Sequence, residues 1–156
     1  MKLKIGNSAP DFTLLDKDEK AHTLSKVAGK YTVVYFYPKD NTPGCTLEAV
    51  EFTSNLNKLK KLGIEVIGIS GGDAKSKTKF CSANDLKLTL LSDPDFKVCK
   101  KYGVYGLKKF MGREYMGIFR QTFLLDAAKK IVKIYEKVSP QVHAAEILAD
   151  VKLLGK

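Results

Sequence analysis

Apolar and β-branched residues concentrate in two short runs, Tyr31 to Tyr37 and Ile64 to Ser70, with almost no polar alternation. A strand with one wet face alternates in polarity, so unbroken apolar runs of this length predict strands covered on both sides of a sheet. Between them Val50, Phe52, Leu56 and Leu59 recur at helical spacing. Thr42 suits the N-cap, Pro43 the first helical position, where no amide donor is needed, and Gly63 the residue just past the end. The pattern predicts a helix of roughly five turns that begins near Pro43. Strand, helix, strand in that order implies a right-handed crossover and parallel pairing.

The flanks extend this unit. Phe12 to Leu15 reads as a short strand, Asp16 to Lys20 as a polar turn, and Ala21 to Leu24 as the return. Asp73 can cap a helix that runs to about Asn84, Leu88 to Leu91 is extended, and Asp93-Pro94 opens a helix ending before Gly103. Gly117 to Leu125 and Ile131 to Tyr135 predict a hairpin around Asp126 to Lys130. Ser139-Pro140 repeats the cap-plus-proline start, and Val142 to Leu154 closes the chain as an amphipathic helix. This order is that of a thioredoxin-like α/β fold, a central mixed sheet flanked by helices, with an N-terminal β extension.

Length and composition narrow the function classes. The 156 residues, 44% apolar and 28% charged, suit one globular domain over residues 1–156 and exclude disordered and collagen-like chains. No apolar run approaches the roughly 18 residues of a membrane helix, and the charged N-terminus lacks an export signal. A soluble cytoplasmic protein, without metal or cofactor, is therefore expected. The 27 basic residues outnumber 17 acidic ones, but the excess is spread out. The Lys58–Lys61 and Lys75–Lys79 clusters read as wet helix faces and not as a nucleic-acid patch. His22 and His143 are far apart and read as surface residues, and Gly71-Gly72 reads as a turn. Tyr105, Phe110, Tyr115 and Phe119 either line an approach to a site or pack in the core.

The three cysteines, Cys45, Cys81 and Cys99, are too few for a disulfide framework. Cys45 falls in the first turn of the helix that follows a central strand. Free amides and the positive end of the helix dipole there favour a thiolate. An ordinary thiol is about 3% ionised at pH 7, so full ionisation yields about 30-fold in rate, or ~2 kcal/mol. Efficient catalysis by a thiolate needs more, supplied by donors that align the substrate and stabilise the leaving group. Candidates are the amides of Gly44 and Cys45, the Thr42 hydroxyl and one cation. Arg120 is one of only two arginines and lies in an apolar strand pattern, where its planar fork can contact sulfur and oxygen together. Arg113, in a polar loop, is the weaker candidate.

The segment Pro38-Lys39-Asp40-Asn41-Thr42-Pro43-Gly44-Cys45 resembles the active-site signature of peroxiredoxins. Its Thr-Pro-Gly-Cys-Thr form is typical of the bacterioferritin comigratory protein (PrxQ) subfamily. Ala9-Pro10-Asp11-Phe12, Tyr102 to Gly106, Lys109 to Gly112 and Arg120 to Asp126 extend the likeness over nearly the whole chain. The resemblance implies a thiol peroxidase that reduces hydrogen peroxide and alkyl hydroperoxides. It implies Cys45 as peroxidatic nucleophile, Thr42 as a hydrogen-bond partner of the peroxide, Pro38 as a shield for the sulfur, and Arg120 as the group orienting thiolate and substrate. Gly44, through its amide, would add to the substrate pocket, and Glu48, one turn on, either orients groups around that pocket or is an ordinary solvated helix residue.

Many subfamily members carry a resolving cysteine five residues after the peroxidatic one, where this chain has Val50. Cys81 resembles the position used by a second group of the subfamily, and Cys99 is the alternative. Thioredoxin or a related dithiol would reduce the resulting disulfide, and the subfamily likeness implies a monomer. A general thiol-disulfide oxidoreductase is the rival on the same fold. Its chemistry wants Cys-x-x-Cys, whereas Cys45 is followed by Thr46, Leu47 and Glu48.

Overall fold

In the computed structural model, which describes residues 2–155, the middle of the sheet is the apolar strand β3 (Tyr31–Phe36). It pairs in parallel with β4 (Ile64–Ser70) and antiparallel with β8 (Gln121–Asp126). Beyond β4 lies β5 (Thr89–Ser92), also parallel, and beyond β8 lies β9 (Ile131–Tyr135), antiparallel. The N-terminal hairpin of β1 (Thr13–Leu15) and β2 (Ala21–Thr23) adds to the far edge, giving the order β2-β1-β5-β4-β3-β8-β9. This is the mixed, thioredoxin-like sheet with an N-terminal β extension that the order of elements implied.

Because successive strand residues point to opposite faces, β3 divides the core in two. Val33, Tyr35 and Tyr37 face one cluster, joined by residues of α1 (Pro43–Ser54), α3 (Ala74–Asn84) and α5 (His143–Leu154). Val34 and Phe36 face the other, with Val98 and Cys99 of α4 (Lys97–Lys101), Tyr102 and Phe123. Cys45 and Cys81 therefore share one side of the sheet, and Cys99 lies on the other.

Four elements depart from the sequence pattern. The long helix breaks at Asn55, which separates α1 from α2 (Leu56–Lys61). The Asn55 side chain donates to the Glu51 carbonyl at 2.8 Å, the local competition that makes Asn a poor interior helix residue. The helix expected from Asp93-Pro94 starts only at Lys97, after Phe96 in a left-handed conformation. The single strand expected over 117–125 is two, β7 (Arg113–Ile118) and β8, interrupted at Phe119-Arg120. Finally, β7 pairs with β6 (Tyr105–Phe110) in a separate hairpin that the pattern of hydrophobic positions did not predict. Its two-residue turn, Met111-Gly112, has positive φ at both positions, the geometry that closes a tight hairpin. The tip leaves Phe110 and Met111 exposed.

Two polar residues are also more buried than expected. His143 and Lys77 are both 0% exposed, although the first read as a surface residue and the second as part of a wet helix face. Among the described residues no helix is long and apolar enough to cross a membrane.

Candidate active site

The carboxyl end of β3 runs into Pro38 and the loop that delivers α1. Thr42 sits in the N-cap position with extended backbone, yet its side chain makes no cap bond. The hydroxyl donates instead to the Lys39 carbonyl at 2.9 Å, which leaves the oxygen's lone pairs free to accept. Pro43 has no N–H, and the first helical bond runs from the Thr46 amide to the Thr42 carbonyl. The amides of Gly44 and Cys45 thus precede the helical ladder and form the donor-rich end of α1. Cys45 is buried there, while Pro38 is half-buried beside the loop.

Arg120 reaches this point from the gap between β7 and β8. Its Nη2 donates to Cys45 Sγ at 3.3 Å and its Nη1 to Glu48 Oε1 at 2.8 Å. Gly44 gives the guanidinium room: a Cβ at that position would lie 3.1 Å from Arg120 Nη2, a tight contact. Burial works to lower the Arg120 pKa, but Cys45 and Glu48 outweigh it and raise the value. Arg113 lies at the exposed end of β7, and its guanidinium has no part in this pair.

Glu48 is 1% exposed, and its second oxygen, Oε2, has no partner among the described residues. Burial pushes its pKa up to about 7, against the opposing pull of Arg120. A carboxyl whose folded-state pKa exceeds its unfolded value binds more protons when folded, so stability falls as pH rises through the interval between them. That interval runs from 4.5 to about 7. Glu48→Gln is accordingly expected to flatten this decline, by up to about 1.4 kcal/mol per pH unit, in urea titrations of both proteins across the same pH range.

Three further groups were not anticipated. His143 Nε2 and Thr122 Oγ1 lie 2.8 Å apart and His143 Nδ1 and Glu146 Oε1 2.9 Å apart, with the ring edge-on to Phe52 and Tyr135. Burial lowers the His143 pKa despite Glu146. Because Thr122 is two residues beyond Arg120 and pairs with Tyr35 across the sheet, this contact pins the start of β8, just beyond the residue that carries the guanidinium. The signal was in the sequence: His143, Ile147 and Val151 follow one helical stripe. Lys108 of β6 donates to the Ile118 carbonyl at 2.9 Å. Burial and Arg120 lower its pKa while Cys45 raises it, so Lys108 is a second cation in the electrostatic surroundings of the sulfur.

The third is a buried cluster under the loop. Asp40 accepts from Tyr37 Oη at 2.6 Å, Ser76 Oγ at 2.7 Å and Lys77 Nζ at 3.3 Å. Lys77 also donates to Ser70 Oγ at 2.7 Å and to the Gly72 carbonyl at 3.1 Å. Gly72 is required for this fit, since a Cβ there would stand 2.2 Å from Asp40 Oδ2. The Gly71-Gly72 segment thus serves packing.

Cys81 lies in the last turns of α3, buried, with its pKa raised by burial and opposed by Lys17. Cys99 is buried behind the sheet, and its pKa is raised strongly by burial and by Asp93. All three cysteines are unbridged thiols.

A cysteine at a helix N-terminus, on a thioredoxin-like sheet and against an arginine at the entry to a central strand, defines the peroxiredoxin class of oxidoreductases. The AhpC/TSA family pattern matches residues 5–134. Peroxiredoxin Bcp of Escherichia coli (strain K12) is 42% identical, with 94% of each chain covered. The structure of Xylella fastidiosa PrxQ, as a cysteine-to-serine mutant, superposes with a TM-score of 0.92 at 31% identity, covering 100% of this chain and 99% of that one. The Xanthomonas campestris bacterioferritin comigratory protein, studied in trapped intermediate and ligand complexes for its alkyl peroxide reduction activity, gives 0.86 at 34% identity, covering 93% and 92%. The chain belongs to the AhpC/TSA family, as a peroxiredoxin of the Bcp/PrxQ group.

Proposed function

We propose that the protein reduces hydrogen peroxide and alkyl hydroperoxides through Cys45, resolves the oxidised sulfur with Cys81, and is recharged by thioredoxin or a similar dithiol in the cytoplasm. The observation that carries this is the divided Arg120 fork, one nitrogen 3.3 Å from the Cys45 sulfur and the other held by Glu48. The alkyl peroxide activity of the Xanthomonas relative supports the substrate class.

The Cys45 thiolate attacks one peroxide oxygen, and the O–O bond breaks as the S–O bond forms. The departing oxygen leaves as hydroxide or alkoxide and takes a proton to become water or alcohol. The free lone pairs of Thr42 accept from the peroxide O–H, while the amides of Gly44 and Cys45 and the Arg120 fork stabilise the charge that develops. Pro38 shields the sulfur from bulk water. Glu48 acts through Arg120 as a positioning residue, because its one bonded oxygen is committed to the guanidinium.

Cys45 is then a sulfenic acid. Attack by the Cys81 sulfur forms the S–S bond and expels the sulfenic oxygen, which leaves as water with the proton of the Cys81 thiol. Location favours Cys81 over Cys99, since Cys45 and Cys81 occupy the same core cluster and Cys99 is across the sheet. Both partners lie on one chain, so a monomer suffices. A disulfide needs Cα atoms roughly 4.4–6.8 Å apart, and both sulfurs are in helices, so the start of α1 and the end of α3 must unwind. The last turn of α3 is where the helix stops, on Asp85 in the left-handed region at φ 49°, so unwinding there breaks few helical bonds.

After one equivalent of peroxide, non-reducing peptide mapping is expected to find a Cys45–Cys81 bond. Thioredoxin-dependent turnover should fall at least about 10-fold in Cys81→Ser and persist in Cys99→Ser. The opposite pattern for the two variants would overturn the choice of Cys81.

A further inference from the structure

The Asp40–Lys77 cluster is not used by the chemistry above, yet it joins the two segments that must separate. Asp40 belongs to the loop that delivers Cys45. Ser70 and Gly72 belong to the end of β4 and the turn after it, and Ser76 and Lys77 to the first turns of α3. Lys77 is one helical turn before Cys81, on the same stripe of the helix as Phe80 and Cys81, all three buried. A second tie lies at the other end of α3, where Asn84 Nδ2 meets Asn41 Oδ1 at 3.4 Å. The Cys45 loop is thus fastened to the Cys81 helix on both sides of Cys81.

We propose that the buried Asp40–Lys77 pair is a latch that sets how often the Cys45 loop detaches from α3, and therefore how fast the sulfenic acid is resolved. Asp40 and Lys77 are positioning residues for the second chemical step and leave the first untouched; this rests on Cys81 being the resolving cysteine.

Several observations point the same way. The pair is almost dry, with Asp40 6% and Lys77 0% exposed, and every Lys77 donor has an acceptor. Separating the loop from α3 breaks the contacts to Ser76 and Lys77 together, and a bond to a charged group is worth more than a neutral one. Asp40 is also fixed from its own side, by Tyr37 Oη at 2.6 Å, so the loop cannot yield at Asp40 alone.

The latch has a chemical consequence. While the loop is attached, the Cys45 sulfenic acid waits beside Arg120 in the peroxide pocket. There it can meet a second hydroperoxide, which transfers one oxygen to give the sulfinic acid and leaves as the alcohol. Detachment favours the other outcome, the disulfide with Cys81. A tight latch raises the share lost to over-oxidation, and a loose one lowers it.

The test uses the paired neutral variant Asp40→Asn/Lys77→Met in a Cys99→Ser background, so that no buried charge is left alone. Ser76→Ala, which removes one bond to Asp40 and keeps the pair, is the milder companion should the double variant fail to fold. After a single pulse of hydrogen peroxide, stopped-flow fluorescence with acid quenching and mass spectrometry reads Cys45 oxidation, disulfide formation and the sulfinic product. In the double variant, disulfide formation is expected to accelerate about 10-fold, with a smaller gain of roughly 3-fold in Ser76→Ala. The peroxide concentration giving half over-oxidation should rise in step, and Cys45 oxidation should stay within about twofold. A merely structural cluster would lower thermal stability without separating the two chemical steps. An unchanged or slower Cys45–Cys81 closure overturns the latch and leaves Cys81 as resolver. A bonded pair other than Cys45–Cys81 overturns the resolver assignment and the latch with it.

Discussion

Cys45→Ser is expected to lower peroxide turnover by at least about 10³-fold, to the background of the reductant alone, because the one atom that accepts the oxygen has been removed. A serine hydroxyl is not ionised at neutral pH, and its oxygen cannot form the sulfenic acid through which electrons later return. The substitution is nearly isosteric at a site that is 1% exposed, and Arg120 keeps its contact with Glu48, so the fold should persist. Peroxide consumption with thioredoxin, together with an unchanged circular dichroism spectrum, checks both halves. Retention of more than a tenth of the activity would remove Cys45 from the reaction.

Arg120→Lys should cost kcat/KM about 10²-fold, close to the loss of a transition-state donor of roughly 3 kcal/mol. Charge is conserved in this substitution, so the loss isolates geometry. The guanidinium touches Cys45 with one nitrogen and Glu48 with another, at 3.3 and 2.8 Å, whereas an ammonium is a single point on a flexible stem. It cannot be anchored by the carboxylate and directed at the sulfur in the same way. Stopped-flow oxidation of Cys45 by hydrogen peroxide measures the step directly, and a change smaller than about threefold would show that charge alone suffices.

The sheet and the site were legible to different depths. Dense apolar runs revealed β3 and β4 because a strand buried on both faces has few polar positions to blur the pattern. The Thr-Pro-Gly-Cys motif located the nucleophile because cap, proline and glycine each have a local physical reason. The hairpin β6–β7 was hidden, since Leu107, Phe110, Tyr115 and Met116 are exposed and give no alternation between a wet and a dry face. The gap at Phe119-Arg120 was equally silent, although that break brings Arg120 to the sulfur.

Charge misled in a different way. Lys77 sits among lysines and was read with them, but it shares a stripe with Phe80 and Cys81, and its partner Asp40 is 37 residues away in sequence. No local rule pairs the two. The stripe of His143, Ile147 and Val151 signals the burial of His143, but its partner Thr122 belongs to another element. Burial of a polar side chain depends on a distant complement, and that complement is visible only once the chain is folded.

The account stands most directly on which sulfur receives the oxygen. One equivalent of hydrogen peroxide, added to Cys81→Ser protein in the presence of dimedone, traps the sulfenic acid where it forms, and peptide mass spectrometry locates the adduct. The adduct is expected on Cys45 alone. An adduct on Cys99 with Cys45 unmodified would contradict it.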